Sequence, residues 1–278
     1  SAEYVELVRR LSASEIPIDG DTPTRKQTYE LALLSAGGAI EGARAAWRGE
    51  VHNSFALVRP PGHHALRSAG GGFCYFNNIA IAIRKIQQEF GLKRTLILDF
   101  DAHHGNGTQD IFFEDPEVFY ISFHQSPLYP GTGRVDEIGV GEGEGFTANV
   151  PMLPGSGDAE YRAAIEDVFV PLAEQFKPEF IAVSAGFDAH QRDPLTSLLL
   201  SSEMYGWMMG TVCDVAGRLC KHRVLVVLEG GYDLQALGES AAYMVKAMQG
   251  ERFDAPKKRK APPSIERLKH ALEEYWEL

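Results

Sequence analysis

Cysteine is scarce: Cys74, Cys213 and Cys220 are the only three in 278 residues, scattered and without zinc-finger spacing. That usage excludes a disulfide framework and fits a reducing compartment. Long apolar runs are also missing, so no membrane span is expected. Glu3, Glu6, Arg9 and Arg10 interrupt the first residues, which do not resemble a signal peptide. The chain is therefore expected to be cytoplasmic, or nuclear in a eukaryote, with no membrane partner. Positive charge is in short supply, with 27 lysines and arginines against 38 acids and a formal net charge of -11. This balance disfavours nucleic acid as a direct partner and suits a cationic substrate. One basic run, Pro256-Lys257-Lys258-Arg259-Lys260, has the form of a nuclear-import cluster and equally that of a solvated hinge before the last helix.

What is present is the ordinary composition of a globular protein, 44% hydrophobic and 23% charged. No linker-like stretch breaks the periodic pattern before Gly250, which predicts one catalytic-size domain over residues 1–250, a basic Pro-rich linker over 251–263 and a closing helical segment over 264–278 that packs on the same domain. Apolar runs at 54–58, 95–99, 118–122, 180–185 and 223–228 read as strands. Helical spacing marks 2–11, 25–47, 79–90 with Gly91 as its cap, 161–176, 202–220, 234–248 and 265–276, and a shorter helix-like piece lies around 109–113. Residues 126–158, rich in glycine and proline, read as a long functional loop with one strand at 146–150. Buried strands alternating with helices predict an α/β domain with a mainly parallel sheet and helices on both faces. Five strands end in related text, PPGHH, DFDAHH, SFH, AGFD and EGGY. In such sheets ligands bind beyond the carboxyl ends of the strands, so these loops should converge on one site.

The stretch at the centre is Thr95–Thr108, TLILDFDAHHGNGT. Asp99, Asp101 and His103 fall at i, i+2 and i+4 as the strand runs out, on one side and roughly 6–7 Å apart at Cα. Acids and an imidazole at the mouth of a buried strand cost several kcal/mol unless a cation neutralises them, and a metal is the usual one. A catalytic zinc takes three protein ligands and keeps one position open. Asp101 and His103 supply two, and Asp188 from another strand end is the natural third. The donor set alone does not choose zinc over iron(II) or manganese. His63-His64 would bring a general base to a metal-activated water, and Tyr232, on a glycine-flanked loop, would donate a hydrogen bond to an oxyanion. His104 and His124 read as structural.

RPPGHHA (59–65), GGFCYFNN (71–78), LDFDAHHGNGT (98–108), SFH (122–124), PGTG (130–133), SAGFDA (184–189) and LEGGY (228–232), in this order, resemble the zinc-dependent histone deacetylase family in its class II-like form, shared with prokaryotic acetylpolyamine amidohydrolases. The resemblance covers residues 1–250 and implies the arginase-like α/β fold. Against the family's pattern the chain lacks the amino-terminal strand and first loop that normally precede its Ser1–Val5 region, which implies a shorter sheet edge and a more open pocket rim.

Position by position, the resemblance implies Asp101, His103 and Asp188 as zinc ligands, His64 as general base, His63 as its electrostatic partner and Tyr232 as the carbonyl-polarising residue. Asp99 would support His63 and Asn106 would support His64. Class I relatives carry aspartate at the latter place, and asparagine should leave His64 less basic. A structural potassium ion is implied at the side chains of Asp99 and Ser122 with backbone carbonyls of Asp101, His103 and Phe123, and a second monovalent site near Phe112, Asp115 and Val118. Phe73 and Tyr129 would wall the substrate channel, with Gly72 and Gly230 leaving room. Polyamine-preferring relatives carry an acidic gatekeeper where this chain has Leu195, so the resemblance implies an acetyl-lysine protein or peptide as substrate ahead of an acetylated polyamine. An idle acyl-lysine binding module and an arginase-like two-manganese enzyme are the remaining readings. The latter needs more bridging carboxylates than the SAGFDAH segment offers.

Overall fold

The computed structural model describes residues 1–257 and 261–278. The basic run at 256–260 therefore falls largely outside the described residues. Strands β1 (Asn53–Ala56), β2 (Thr95–Asp99), β3 (Val118–Gln125), β4 (Thr147–Met152), β5 (Phe180–Ala185) and β6 (Val224–Leu228) form one sheet in the order β1-β6-β5-β2-β3-β4. Every pairing is parallel. Among the described residues this is a single α/β domain of the arginase-like kind.

Strand alternation divides the core into two layers. Leu96, Leu98, Phe119, Ile121, Ile181, Val183, Val224 and Val226 face one layer, and Ile97, Tyr120, Ala182, Leu225 and Val227 face the other. The first layer is covered by α5 (Asp158–Ala164), α6 (Val170–Phe176), α7 (Ser202–Leu219), α8 (Leu234–Met248) and α9 (Pro263–Leu272). The second is covered by α2 (Thr28–Arg48), α3 (Asn78–Phe90) and α4 (Asn106–Phe112), and α1 (Ala2–Ser14) packs beyond them against Tyr75 and Phe76. With helices on both faces, the central strands are buried along their whole length, which is why they read as unbroken apolar text.

Local signals set the ends. Asn77 caps α3 by accepting from the Ala80 N–H at 3.1 Å, and Gly91 closes it at φ 69°. Asp233 caps α8 through the Ala236 N–H. The uninterrupted helix expected over 161–176 is instead split by a π-turn, Ile165–Phe169. Pro171 stands in the first turn of α6 and has no N–H to donate backward, so the wider turn absorbs the break. The helix expected over 265–276 ends at Leu272, and Trp276 leaves it to meet Phe119 at a tilt and Phe146 and Phe176 edge to face, while its indole N–H donates to the Gly145 carbonyl at 2.6 Å. β4 extends two residues past the expected end and carries Pro151, tolerated because this strand lies at the sheet edge. No helix among the described residues is long and apolar enough to cross a membrane.

Trp276 closes an aromatic cluster that anchors α9, so replacing it by alanine is expected to remove about 3 kcal/mol of stability. Urea denaturation checks this, and a loss under about 0.5 kcal/mol would show that α9 is held by Ile265, Leu268 and Leu272 alone.

Candidate active site

Strand order reverses between β2 and β5: β3 and β4 follow on one side, β6 and β1 on the other. The crevice at such a switch point is where ligands bind. Asp101 and His103 follow β2, and Asp188 follows β5. One donor atom from each lies within 4.8 Å of the others. His103 Nδ1 stands 2.8 Å from Asp188 Oδ2 and 3.2 Å from Asp101 Oδ1.

The local backbone is not the extended strand continuation expected from i, i+2, i+4 spacing. β2 stops at Asp99, and the acids themselves turn the chain: the Asp101 N–H donates to Asp99 Oδ1 at 3.2 Å and the His103 N–H to Asp101 Oδ1 at 2.9 Å. Asp188 Oδ1 takes the Ala102 N–H at 2.9 Å, and Asp101 Oδ2 takes the Gly230 N–H at 2.7 Å. Asp99 and Asp188 thus keep one oxygen on the backbone and leave the other to side chains, while Asp101 takes a backbone N–H on each oxygen. Gly230 serves this packing. A Cβ there would lie 2.4 Å from Asp188 Oδ2 and 2.6 Å from Asp101 Oδ2, so its smallness makes room for the acids themselves.

His63 and His64 follow β1, with ring centroids 4.1 Å apart. His63 Nδ1 bonds Asp99 Oδ2 at 3.0 Å, and Tyr120 Oη donates to the same oxygen. His64 Nδ1 lies 2.8 Å from Asn106 Oδ1. The pKa values of the two rings are shifted in opposite directions. Burial works to lower the pKa of His63, but the charges of Asp99, Asp101 and Glu229 raise it well above the ordinary histidine value. Burial and the neighbouring His63 charge hold His64 well below it. Such a pair supplies a fixed cation and a free base side by side.

Tyr232 follows β6, and its N–H is held by Asp193 Oδ2 at 2.8 Å. Burial, then the charges of Asp101 and Asp188, raise its phenol so that it stays protonated. The Phe73 ring meets Tyr232 edge to face at 5.9 Å. Tyr129 stands 5.1 Å from His64 and 6.4 Å from His103. Both are partly exposed at the mouth. Gly72, at φ 55°, lies so close to His64 and Tyr129 that a Cβ would sit 2.5 Å from the His64 ring. Leu195 is 46% exposed, and its N–H bonds the Asp193 carboxylate that holds Tyr232. Asp99 and Ser122 are register partners on β2 and β3, both fully buried. Ser122 Oγ lies 2.9 Å from His124 Nδ1, and Phe123 is buried beside it. His104 bridges Thr132 and Gln109, away from the three donors. At the proposed second monovalent site the Phe112 and Asp115 carbonyls accept the N–H groups of Asp115 and Val118. Sequence reasoning gave no part to Glu229, Arg59 or Asp193. The first two lie inside the LEGGY and RPPGHH motifs, and an acid directly following an apolar strand was the available signal.

The fold and this constellation have the form found in proteins of the deacetylase and amidohydrolase class. The histone deacetylase domain profile matches residues 1–248. A probable deacetylase of Archaeoglobus fulgidus is 44% identical over 98% of this chain and 79% of its own length. Histone deacetylase 14, chloroplastic, of Arabidopsis thaliana is 45% identical over 86% of this chain and 59% of its own. A histone deacetylase-like amidohydrolase of Pseudomonas aeruginosa is 40% identical over 90% and 67%. The crystal structure of the HDA15 HD domain superposes with a TM-score of 0.93 at 38% identity, covering 99% of this chain and 77% of that one. The chain belongs to the histone deacetylase family. It spans about three fifths of the plant chloroplastic relatives' length.

Gly230→Ala forces a Cβ between two buried carboxylates. It is expected to cut bound divalent metal per chain at least tenfold, read by elemental analysis after dialysis, and stoichiometric metal in that variant would mean the acids yield without losing the site.

Proposed function

We propose that this chain is a zinc-dependent hydrolase that removes acetyl groups from the ε-amine of lysine in proteins or peptides, with Asp101, His103 and Asp188 as the metal ligands. The observation that carries the reading is the convergence of these three donors beside the paired imidazoles of His63 and His64. The fit rests on the donors' chemistry. Asp101 and Asp188 are fully buried acids whose nearest cationic side chains are histidines. Burial works against the charge on His103, yet its hydrogen bonds to Asp101 and Asp188 push it up to about 10. A site this acidic draws in a cation, and the three donors are the number a catalytic zinc takes. Zinc bound there would acidify water and polarise the amide carbonyl.

The remaining steps belong to the chain's own groups. His64, neutral and oriented by Asn106, takes a proton from the attacking water and returns it to the departing amine. His63, kept cationic by Asp99, stabilises negative charge beside it. The protonated Tyr232 hydroxyl donates to the oxyanion as the carbonyl becomes tetrahedral. Phe73 and Tyr129 flank the mouth and suit the apolar stem of an acyl-lysine. The same reading includes a potassium ion at Asp99 and Ser122, completed by backbone carbonyls of Asp101, His103 and Phe123, where it would offset buried charge.

Leu195 favours acyl-lysine, since it offers no anion to the second ammonium of a polyamine. One observation supports an acetylated polyamine as the second reading: Asp19 approaches Gly71 at the rim, and Asp19 and Asp21 both act on the Tyr129 phenol. Parallel assays of an acetyl-lysine peptide and an acetylated polyamine are expected to give the higher kcat/KM for the peptide, and the reverse order would transfer the assignment. Tyr232→Phe is expected to lower turnover by roughly 10²–10³ while bound metal stays constant. Undiminished turnover would remove the tyrosine from the mechanism.

A further inference from the structure

β1 and β6 are neighbours in the sheet, and the loops that follow them carry the base pair and Tyr232. Two side chains cross between these loops in opposite directions. Glu229, the first residue past β6, is wholly buried. Its Oε2 accepts the N–H of Gly62 at 2.7 Å and of His63 at 3.1 Å, and its Oε1 accepts the Ser184 hydroxyl at 3.2 Å from the end of β5. Arg59, past β1, sends a guanidinium N–H to the Gly231 carbonyl at 3.2 Å and lies 5.9 Å over the Tyr232 ring.

The loop's own chemistry makes the first contact decisive. Pro60 and Pro61 have no N–H, so Gly62 and His63 carry the first backbone donors available after Arg59 to fix the approach to the histidines. Upstream, the Pro60 carbonyl is held by Ser35 Oγ at 2.8 Å and Asn78 Nδ2 at 3.0 Å. Gly62 has no slack on its other side, since a Cβ there would fall 2.5 Å from the Asn78 nitrogen. A carboxylate suits the position because it only accepts, and it faces three donors. A glutamine there keeps its oxygen on both N–H groups and turns its NH2 to the Ser184 hydroxyl, which also accepts, so a leucine of similar size is the change that removes the contact.

We infer that Glu229 and Arg59 are positioning residues which latch the His63-His64 loop to the Tyr232 loop, setting the distance between the general base and the oxyanion donor. Neither need touch substrate. The latch deepens the hydrolase reading and rests on it for its kinetic consequence, but its structural content stands apart and is tested apart. Positional error between groups that act in one transition state reaches kcat more than KM.

The test combines Glu229→Leu, Arg59→Gln and the double variant, made in the full chain, with amide hydrogen exchange and kinetics on an acetyl-lysine peptide. Exchange at Gly62 and His63 is expected to be slow in the wild type and at least tenfold faster in Glu229→Leu, with the amides of β2 and β5 unchanged. Each single variant is expected to lower kcat ten- to a hundredfold, with KM within about twofold and metal content constant. The double variant should fall no further than about threefold below the worse single, because one latch is broken only once. Should Glu229→Leu not fold, the variant Arg59→Gln, at an exposed residue, carries the test through the kcat-against-KM split. Unchanged exchange at Gly62 and His63, kcat equal to wild type, or losses that multiply in the double variant would each overturn the latch. A wild type inactive on both acyl substrates but showing the exchange pattern would remove the hydrolase reading and leave the latch standing.

Discussion

Everything at the carboxyl edge of this sheet answers to one electrostatic constraint: Asp99, Asp101, Asp188 and Glu229 are all buried, exposed by 1% or less, within a few residues of adjoining strand ends. An ionised carboxylate in such a place costs several kcal/mol unless it is paired and hydrogen-bonded. The chain meets that cost first with its own backbone. Asp101, Ala102, His103, Gly230, Gly62 and His63 all turn an N–H onto one of the four acids. The loops have little freedom beyond this because their conformations are the means by which the acids are solvated. Imidazoles answer the rest: His63 on Asp99, and His103 between Asp101 and Asp188.

Topology decides where the acids collect. The central strands β2 and β5 diverge in connectivity, so nothing crosses the crevice above them, and the loops from β1 and β6 lean in from one side. The two-layer core below is rigid, since each strand alternates its side chains between two closely packed apolar layers. A site built on such strand ends can hold donor atoms to tenths of an ångström without help from long flexible side chains. The small residues at the same level follow from the crowding: Gly72 admits the His64 ring and Gly230 admits two carboxylates.

The fold and the identities of the converging groups were largely legible in the sequence because both depend on local text. Buried strands announce themselves as apolar runs, and acids and histidines that end such runs have no cheap structural explanation. What stayed illegible depended on contacts distant in sequence. The turn at Asp101 looks like a continuing strand until the carboxylates are seen to capture their own backbone. Glu229 lay within a recognised motif, yet its work is done on residues 62 and 63, in the loop after the neighbouring strand. The π-turn before Pro171 and the departure of Trp276 from its helix are tertiary outcomes too. Each is a local pattern overridden by where a neighbouring chain left space or an unpaired group.

The asymmetry between the two histidines follows from what surrounds them: Asp99, Asp101 and Glu229 raise His63 against burial, while burial and the His63 charge lower His64. Both rings are buried and in contact, so left alone they would share one pKa and compete for one proton. His63 is backed by a carboxylate and His64 by an amide oxygen. The full charge of Asp99 settles the proton on His63. That cation, 4.1 Å away between ring centres, then discourages a second proton on His64 more strongly than Asn106 can encourage it. An aspartate in place of Asn106 would set a full charge beside His64 and raise its pKa toward that of His63. The amide therefore orients the His64 ring without supplying the charge that would occupy it, and the division of labour between neighbouring, chemically identical side chains is set one layer behind them.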